Sequence, residues 1–300
     1  MTARLRPAWA RSLAGAAMLL HGSGPLALAE GGPAELDPTI EREIDLCRSH
    51  IGAAAANPSA SGGVSFITVT PEEGPSQLTL CLAGTLGPSV VQSIRARVDG
   101  NLRIDRLIVR STGGAVADWL AIAEMIENRV EQVVVDQICM SSCAVYAFAI
   151  AERRLVTPGS LVVWHGGPSP ATIDLIAPDA SDEIAADLEE LSQRTAALYD
   201  RLDLSLDILR DTQTLSLSPN DADMLAQASE EGSEAPLDID GYALDPQALS
   251  RCYGYSGLEE MWHPGFSHAV FTLGRRRSAD LTVLMRPWRI ELPACASEPG

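Results

Sequence analysis

Three apolar, β-branched runs constrain this chain most, because each stops abruptly at residues that carry chemistry. "RIDRLIVRS" (103–111) runs into Gly113-Gly114. "EQVVVDQI" (131–138) runs into "CMSSC" (139–143). "RRLVTPGSLVVWHGG" (153–167) turns at Pro158-Gly159 and reaches His165. Between the first two runs, Trp119, Ile122, Ala123 and Ile126 fall at helical spacing, and "CAVYAFAIA" (143–151) is apolar enough for a buried helix. Strands and helices that alternate at such short spacing imply crossover connections and a mostly parallel sheet, so the predicted class is α/β. In such sheets, sites gather where strands end and helices begin.

The flanks fit the same frame. A helix is predicted at about 38–50, followed by "GAAAANPSASGG" (52–63), a flexible linker by composition. "VSFITVT" and "QLTLCLAG" are β-rich around the turn "PEEGPS". In "PSVVQSIRARV" (88–98), Val90, Val91, Ile94 and Val98 share one helical face. Residues 181–204 read as an acidic helix with one stripe of Ile184, Leu188, Leu191, Leu198 and Leu202, either a surface helix or an oligomer contact. "SEEGSEAPLDIDG" (229–241) is linker-like, and a hairpin of "HAVFTLG" and "DLTVLMRPW" is predicted in the tail.

The first 29 residues differ from the rest. Arg4, Arg6 and Arg11 precede a short apolar run, and "ALA" at 27–29 resembles a signal-peptidase site. The run is too short for a membrane span and is broken by Gly22, Gly24 and Pro25. We therefore expect a leader over 1–29 and a mature chain exported to a bacterial periplasm. The formal net charge of −18 becomes about −21 without the leader arginines, which disfavours nucleic acid and anionic membranes as partners. All 22 basic residues are arginine; the chain has no lysine.

An exported chain with six cysteines permits disulfides. Cys139 and Cys143, four apart, would lie about 6 Å apart on a helix, within bridging range. Cys252–Cys295 and, by elimination, Cys47–Cys81 are the other expected pairs. A zinc site would need two more ligands, such as His263 and His268, at irregular spacing. A thioredoxin-like site would need C-x-x-C. Both cysteines could equally serve as small buried residues.

The three strand ends together match the needs of acyl transfer: a nucleophile, a base and N–H donors for the oxyanion. A serine at a strand-to-helix turn is exposed by the turn, with the positive end of the helix behind it. A Gly-Gly lets backbone donors approach closely. A histidine can take the proton. Taken singly, a glycine pair is usually a turn and a serine pair usually a helix cap.

That combination resembles the proteolytic subunit of the Clp protease. "IVRSTGG" (108–114) is similar to its "INSPGG", "CMSSCAVYAFAIA" to its nucleophile segment, and "RRLVTPGSLVVWHGG" to its "KR…LP…MIHQP", with Arg154 and Pro158 eleven and seven residues before His165. The chain most resembles an exported branch with C-x-S-x-C. The resemblance covers roughly 64–228 and implies a Clp/crotonase-like spiral of ββα units with mostly parallel strands. It divides the chain into leader (1–29), N-terminal helix and linker (30–63), Clp/crotonase-like domain (64–228), and linker with C-terminal extension (229–300). By the same resemblance Ser141 is the nucleophile, His165 the base, and Gly114 and Ser142 supply the oxyanion N–H groups. The family's third member is an aspartate. "LDILRDT" (206–212) is similar to the approach to it, but Leu215 falls near its place and Asp211 lies four residues earlier. With no lysine, the Ser-Lys dyad of signal peptide peptidase A has no counterpart here.

Two functions therefore stand: a periplasmic serine hydrolase acting on peptide or protein, or a Clp-like binding or scaffold protein that has lost turnover. A crotonase-like acyl-thioester enzyme is third, disfavoured because coenzyme A is cytoplasmic. No cofactor, metal or ATPase partner is expected, and no membrane span remains after cleavage. The family's ring habit and the acidic stripe point to a homo-oligomer.

Overall fold

In β3 (Ile104–Ser111) and β4 (Val130–Met140), apolar residues are buried on both faces of one sheet. Such two-sided burial is the mark of parallel strands covered by helices. The computed structural model describes residues 36–57, 60–70, 76–98, 102–173, 181–214 and 241–258, and the backbone of 260–261, 270–273 and 281–286. The proposed leader, the linker 229–240 and Cys295 lie outside the described residues.

Among the described residues the larger sheet has seven strands. β1 (Gly63–Val69) is an antiparallel edge on β2 (Gln77–Ala83), and from β2 onward every neighbour is parallel: β2 to β3, β3 to β4, and β4 to both β5 (Arg153–Val156) and β6 (Leu161–Val163). The fold is thus mixed α/β with a mostly parallel sheet. The turn expected at Pro158-Gly159 separates β5 from β6, and these two short strands pair with successive parts of β4. β4 changes partner where its register against β3 shifts, between the Val109–Val135 and Ser111–Cys139 pairs. Gln137 sits in that bulge with φ 70° and donates its N–H to Ser160 Oγ at 2.7 Å. Such a bulge bends a strand and re-aims its end.

One sheet face buries Leu80, Leu82, Leu107, Val109, Val133 and Val135 under α3 (Pro88–Arg95) and α4 (Val116–Ile126), in one large cluster. The alternate residues Cys81, Ile108 and Val134 face a second cluster with Ile40, Ile44 and Cys47 of α1 (Pro38–Ile51). α1 starts where Asp37 accepts the Thr39 N–H at 2.7 Å, with Pro38 in the first turn. Its docking is part apolar and part ionic. Buried Glu43 pairs with Arg106 and accepts from Thr79, and Arg48 makes two bonds to Asp136. The Cys47–Cys81 disulfide ties α1 to β2. A loop of 34 residues closed this way is worth roughly 4 kcal/mol on the chain-entropy model. Within the expected linker, α2 (Ala53–Ala56) forms one helical turn and Ser61 bridges Thr85.

The expected buried helix after "CMSSC" is instead a π-helix of five residues, Cys143–Ala147, closed by Phe148 N–H on the Cys143 carbonyl at 3.1 Å. The carbonyls just beyond it are taken by a buried cation. Arg154 donates to Phe148 O at 2.8 Å and Ala149 O at 2.7 Å, and its guanidinium lies over the rings of Phe148 and Tyr255.

α5 (Asp182–Arg201) divides its apolar stripe. Leu198 and Tyr199 enter the core, Leu188 and Leu191 are half-buried, and Ile184 stands 53% exposed. Arg194–Glu124 and Arg201–Glu127 ion pairs tie α5 to α4 and the residue that follows it. α6 (Asp207–Thr214) follows. Beyond 240 the chain returns to the same core. β7 (Gly241–Leu244) and α7 (Pro246–Tyr253) bury Leu244, Ala248, Leu249 and Tyr253 in it, and Tyr255, just past α7, joins them. β8 (Glu260–Met261) adds to β5 in parallel. β9 (Val270–Leu273) and β10 (Leu281–Arg286) form the expected antiparallel pair, with β10 also beside β7.

Candidate active site

Because β3, β4 and β6 are parallel neighbours, their C-terminal ends lie side by side. Cys139 pairs with Ser111 on one flank and Val162 on the other. This register brings Gly113-Gly114, Ser141 and His165 together from positions up to 52 residues apart in sequence.

Ser141 follows β4 in the left-handed region, φ 59°. Few residues other than glycine adopt it, because the Cβ crowds the backbone. Its N–H donates to Val163 O and its carbonyl accepts from Val145 N–H, each at 3.0 Å, so the turn is fastened to β6 and to the π-helix. Gly113 lies against it. At φ 107°, a Cβ there would stand 2.8 Å from Ser141 Cβ and 2.9 Å from Met140 O. A Cβ on Gly114 would stand 2.6 Å from Leu86 O. Ser111 Oγ locks the glycine pair by accepting from Gly113 N–H at 2.9 Å and donating to Gly84 O at 2.5 Å.

The two serines of the pair do different things. Ser142 is buried, and its Oγ donates to the Gly114 carbonyl at 3.0 Å. Ser141 Oγ instead lies 2.6 Å from His165 Nε2. Among the described residues, neither the Gly114 nor the Ser142 N–H enters a backbone hydrogen bond. The Ser142 N–H stands at the N-terminal end of the π-helix, where helical partners are missing by construction.

His165 is exposed on a backbone fixed from both sides. Trp164, just before it, is buried and bridged to Tyr242. Gly166 N–H, just after it, donates to Thr212 Oγ1 at 3.0 Å. Asp211 is fully buried on α6. Its Oδ2 accepts from Tyr253 Oη at 3.0 Å, and Oδ1 accepts from the Arg210 guanidinium at 2.8 Å. Asp211 thus belongs to the layer behind Thr212, which holds the His165 backbone. Leu215 lies outside the described residues.

A cleft of about 310 Å³ opens onto Ser141 and His165. Val116, Val145, Leu188 and Leu191 give it apolar walls, and Gly166 and Gln213 border the histidine. Tyr146 also lines it; burial pushes its phenol well above the ordinary range, so it is an uncharged wall held by Thr195 at 2.9 Å.

Cys139 and Cys143 form a disulfide around this turn, Cα–Cα 5.2 Å, and both are fully buried. The bond takes both sulfurs away from metal coordination. Cys252 is also disulfide-bonded. His263 and His268 lie outside the described residues, and among the described residues no three His, Cys, Asp or Glu side chains are placed to hold a metal. Nor is any helix among them long and apolar enough to cross a membrane. The disulfides and that lack of a span are compatible with an extracellular or periplasmic protein.

Sequence reasoning singled out the glycine pair, Ser141, Ser142 and His165. It missed Ser111, Thr212, Tyr242 and Tyr253. Ser111 carried a signal, as a polar residue ending an apolar strand; the other three act through long-range packing that no local pattern encodes. No family model matches the chain, and no curated protein matches it in sequence.

Proposed function

We propose that this protein is an exported serine hydrolase, a peptidase by class, built on a Clp/crotonase-like spiral. The observation that carries the reading is the 2.6 Å contact between Ser141 Oγ and His165 Nε2, with Gly113 packed against Ser141. Ser141 Oγ attacks the substrate carbonyl carbon while its proton passes to Nε2. The carbonyl oxygen becomes an oxyanion held by the Gly114 and Ser142 N–H groups. As the C–N bond breaks, His165 returns the proton to the leaving amine, and water then cleaves the acyl-serine by the reverse sequence. With no lysine in the chain, His165 is the base in reach. The substrate is a peptide or protein whose apolar side chain enters the cleft. Exposed Ile184 on acidic α5 is the proposed contact of a homo-oligomer.

The direct test is a fluorophosphonate probe, in which serine displaces fluoride from phosphorus. The wild type labels and Ser141→Ala does not; equal labelling of both would refute the assignment.

A second reading, a scaffold without turnover, is favoured by one observation: Asp211 is engaged by Tyr253 and Arg210. On that reading Ser141→Ala leaves the cellular role intact. Loss of an orienting acid costs roughly 10⁴-fold in serine proteases and still leaves measurable catalysis, so slow labelling fits the hydrolase.

A further inference from the structure

Ser141 is the middle residue of a five-residue ring closed by Cys139–Cys143. Cys139 lies in β4, paired on both sides, and Cys143 opens the π-helix. The bridge therefore ties the rigid sheet to the helix that carries the Ser142 N–H, across the one serine of the turn that holds a left-handed backbone. A left-handed residue with a Cβ reverts to ordinary conformations unless its surroundings over-determine it. Two hydrogen bonds fasten Ser141, one to β6 and one to the π-helix, and the disulfide is the covalent fastening. The Cys47–Cys81 bridge differs in kind: it closes a long loop and docks α1 on the opposite sheet face, in the smaller cluster.

We propose that the Cys139–Cys143 disulfide is a positioning device for the nucleophile, and that hydrolytic competence is confined to the oxidised chain. The proposal rests on the reading of Ser141 as nucleophile. In the dithiol form the fold persists, but Ser141 leaves the left-handed region, and both its hydroxyl and the Ser142 N–H lose their aim. Oxidation removes two protons and two electrons from the thiols, forms the S–S bond, and reduces a partner disulfide to a dithiol. That exchange is available to an exported chain and scarce in a reducing cytoplasm. Because both sulfurs are fully buried, the bond is shielded from thiols once the turn has closed, which makes it a once-only activation on export.

The test compares Cys139→Ala/Cys143→Ala with Cys47→Ala/Cys81→Ala, using melting curves, the ring-nitrogen NMR signals of ¹⁵N-histidine-labelled protein, and fluorophosphonate labelling rates. The first variant is expected to keep a cooperative melt, to show the His165 ring signals of Ser141→Ala, and to label at least about 100-fold more slowly, the cost of an ångström-scale misplacement. The second is expected to melt lower but label at the wild-type rate with wild-type His165 signals. Wild-type His165 signals in the first variant, or labelling within about threefold of wild type, would overturn the proposal. If wild-type protein does not label at all, the hydrolase reading fails, yet the histidine signals still decide whether the bridge sets the Ser141–His165 contact. If the alanine pair does not fold, Cys139→Ser/Cys143→Ser replaces it; failure of both to fold makes the bridge a folding element and overturns the proposal.

Discussion

Tyr242 and Trp164 exchange both backbone hydrogen bonds. Trp164 N–H donates to Tyr242 O at 2.9 Å and Tyr242 N–H donates to Trp164 O at 2.7 Å, one residue before His165. The segment after 240 therefore forms part of the wall that holds the strand leading to His165. Leu244, Leu249, Tyr253 and Tyr255 are essentially unexposed in the shared core. At about 1.5–3 kcal/mol each, their burial rivals the whole stability of an ordinary domain, about 5–15 kcal/mol. A chain ending at residue 240 is expected to show no cooperative melt by circular dichroism. A truncated chain that melts like the full one would contradict this.

Gly113→Ala places a Cβ 2.8 Å from Ser141 Cβ at a backbone angle that disfavours it. The strain is of order 1–3 kcal/mol, and a displaced oxyanion region costs about 10²–10³ in rate. The fluorophosphonate labelling rate is expected to fall by that range while the melting temperature drops by several degrees. Labelling at the wild-type rate would show that the close approach is not needed.

Arg154 is nearly fully buried without a carboxylate partner among its hydrogen bonds to Phe148, Ala149 and Ser256. Burial pulls its guanidinium below the usual range. Arg154→Met leaves buried carbonyls unsatisfied, each worth about 1–3 kcal/mol. Arg154→Lys is expected to rescue little, since a point charge cannot serve three diverging carbonyls. Urea denaturation of both variants checks this; a lysine variant as stable as the wild type would refute the fork's role.

Burial is the first cause that raises the phenols of Tyr146, Tyr199, Tyr253 and Tyr255. An acid whose folded pKa lies above its unfolded value of about 10 keeps its proton in the native state, so stability is retained below pH about 10 and falls as pH rises beyond it. In an alkaline titration followed by tyrosinate absorbance, these four are expected to ionise together with unfolding. Their independent, reversible titration near pH 10 in folded protein would contradict the packing.

The parallel core was legible because Leu107–Val109 and Val133–Val135 are continuous apolar runs, and a strand buried on both faces needs them. Ser141 and His165 were legible because each ends such a run. The partner change in β4 was not, since it depends on Gln137 adopting a positive φ inside an unbroken strand pattern. Nor was the short π-helix: "CAVYAFAIA" has the apolarity of a longer helix, and nothing in that run marks where the helix stops. α1 carried a helix signal, but its docking partners lie tens of residues away and leave no local periodicity, and α7 in the tail, read only as a hairpin, was missed.

Ser141 and His165 are expected to act as one unit. The measurement is the rate of acyl-enzyme formation with an activated ester for wild type, Ser141→Ala, His165→Ala and the double variant. Groups that act together are non-additive, so each single change is expected to lower the rate to the level of the double change, at least about 10³-fold below wild type. Equal rates in all four proteins, or single losses that simply add, would contradict it.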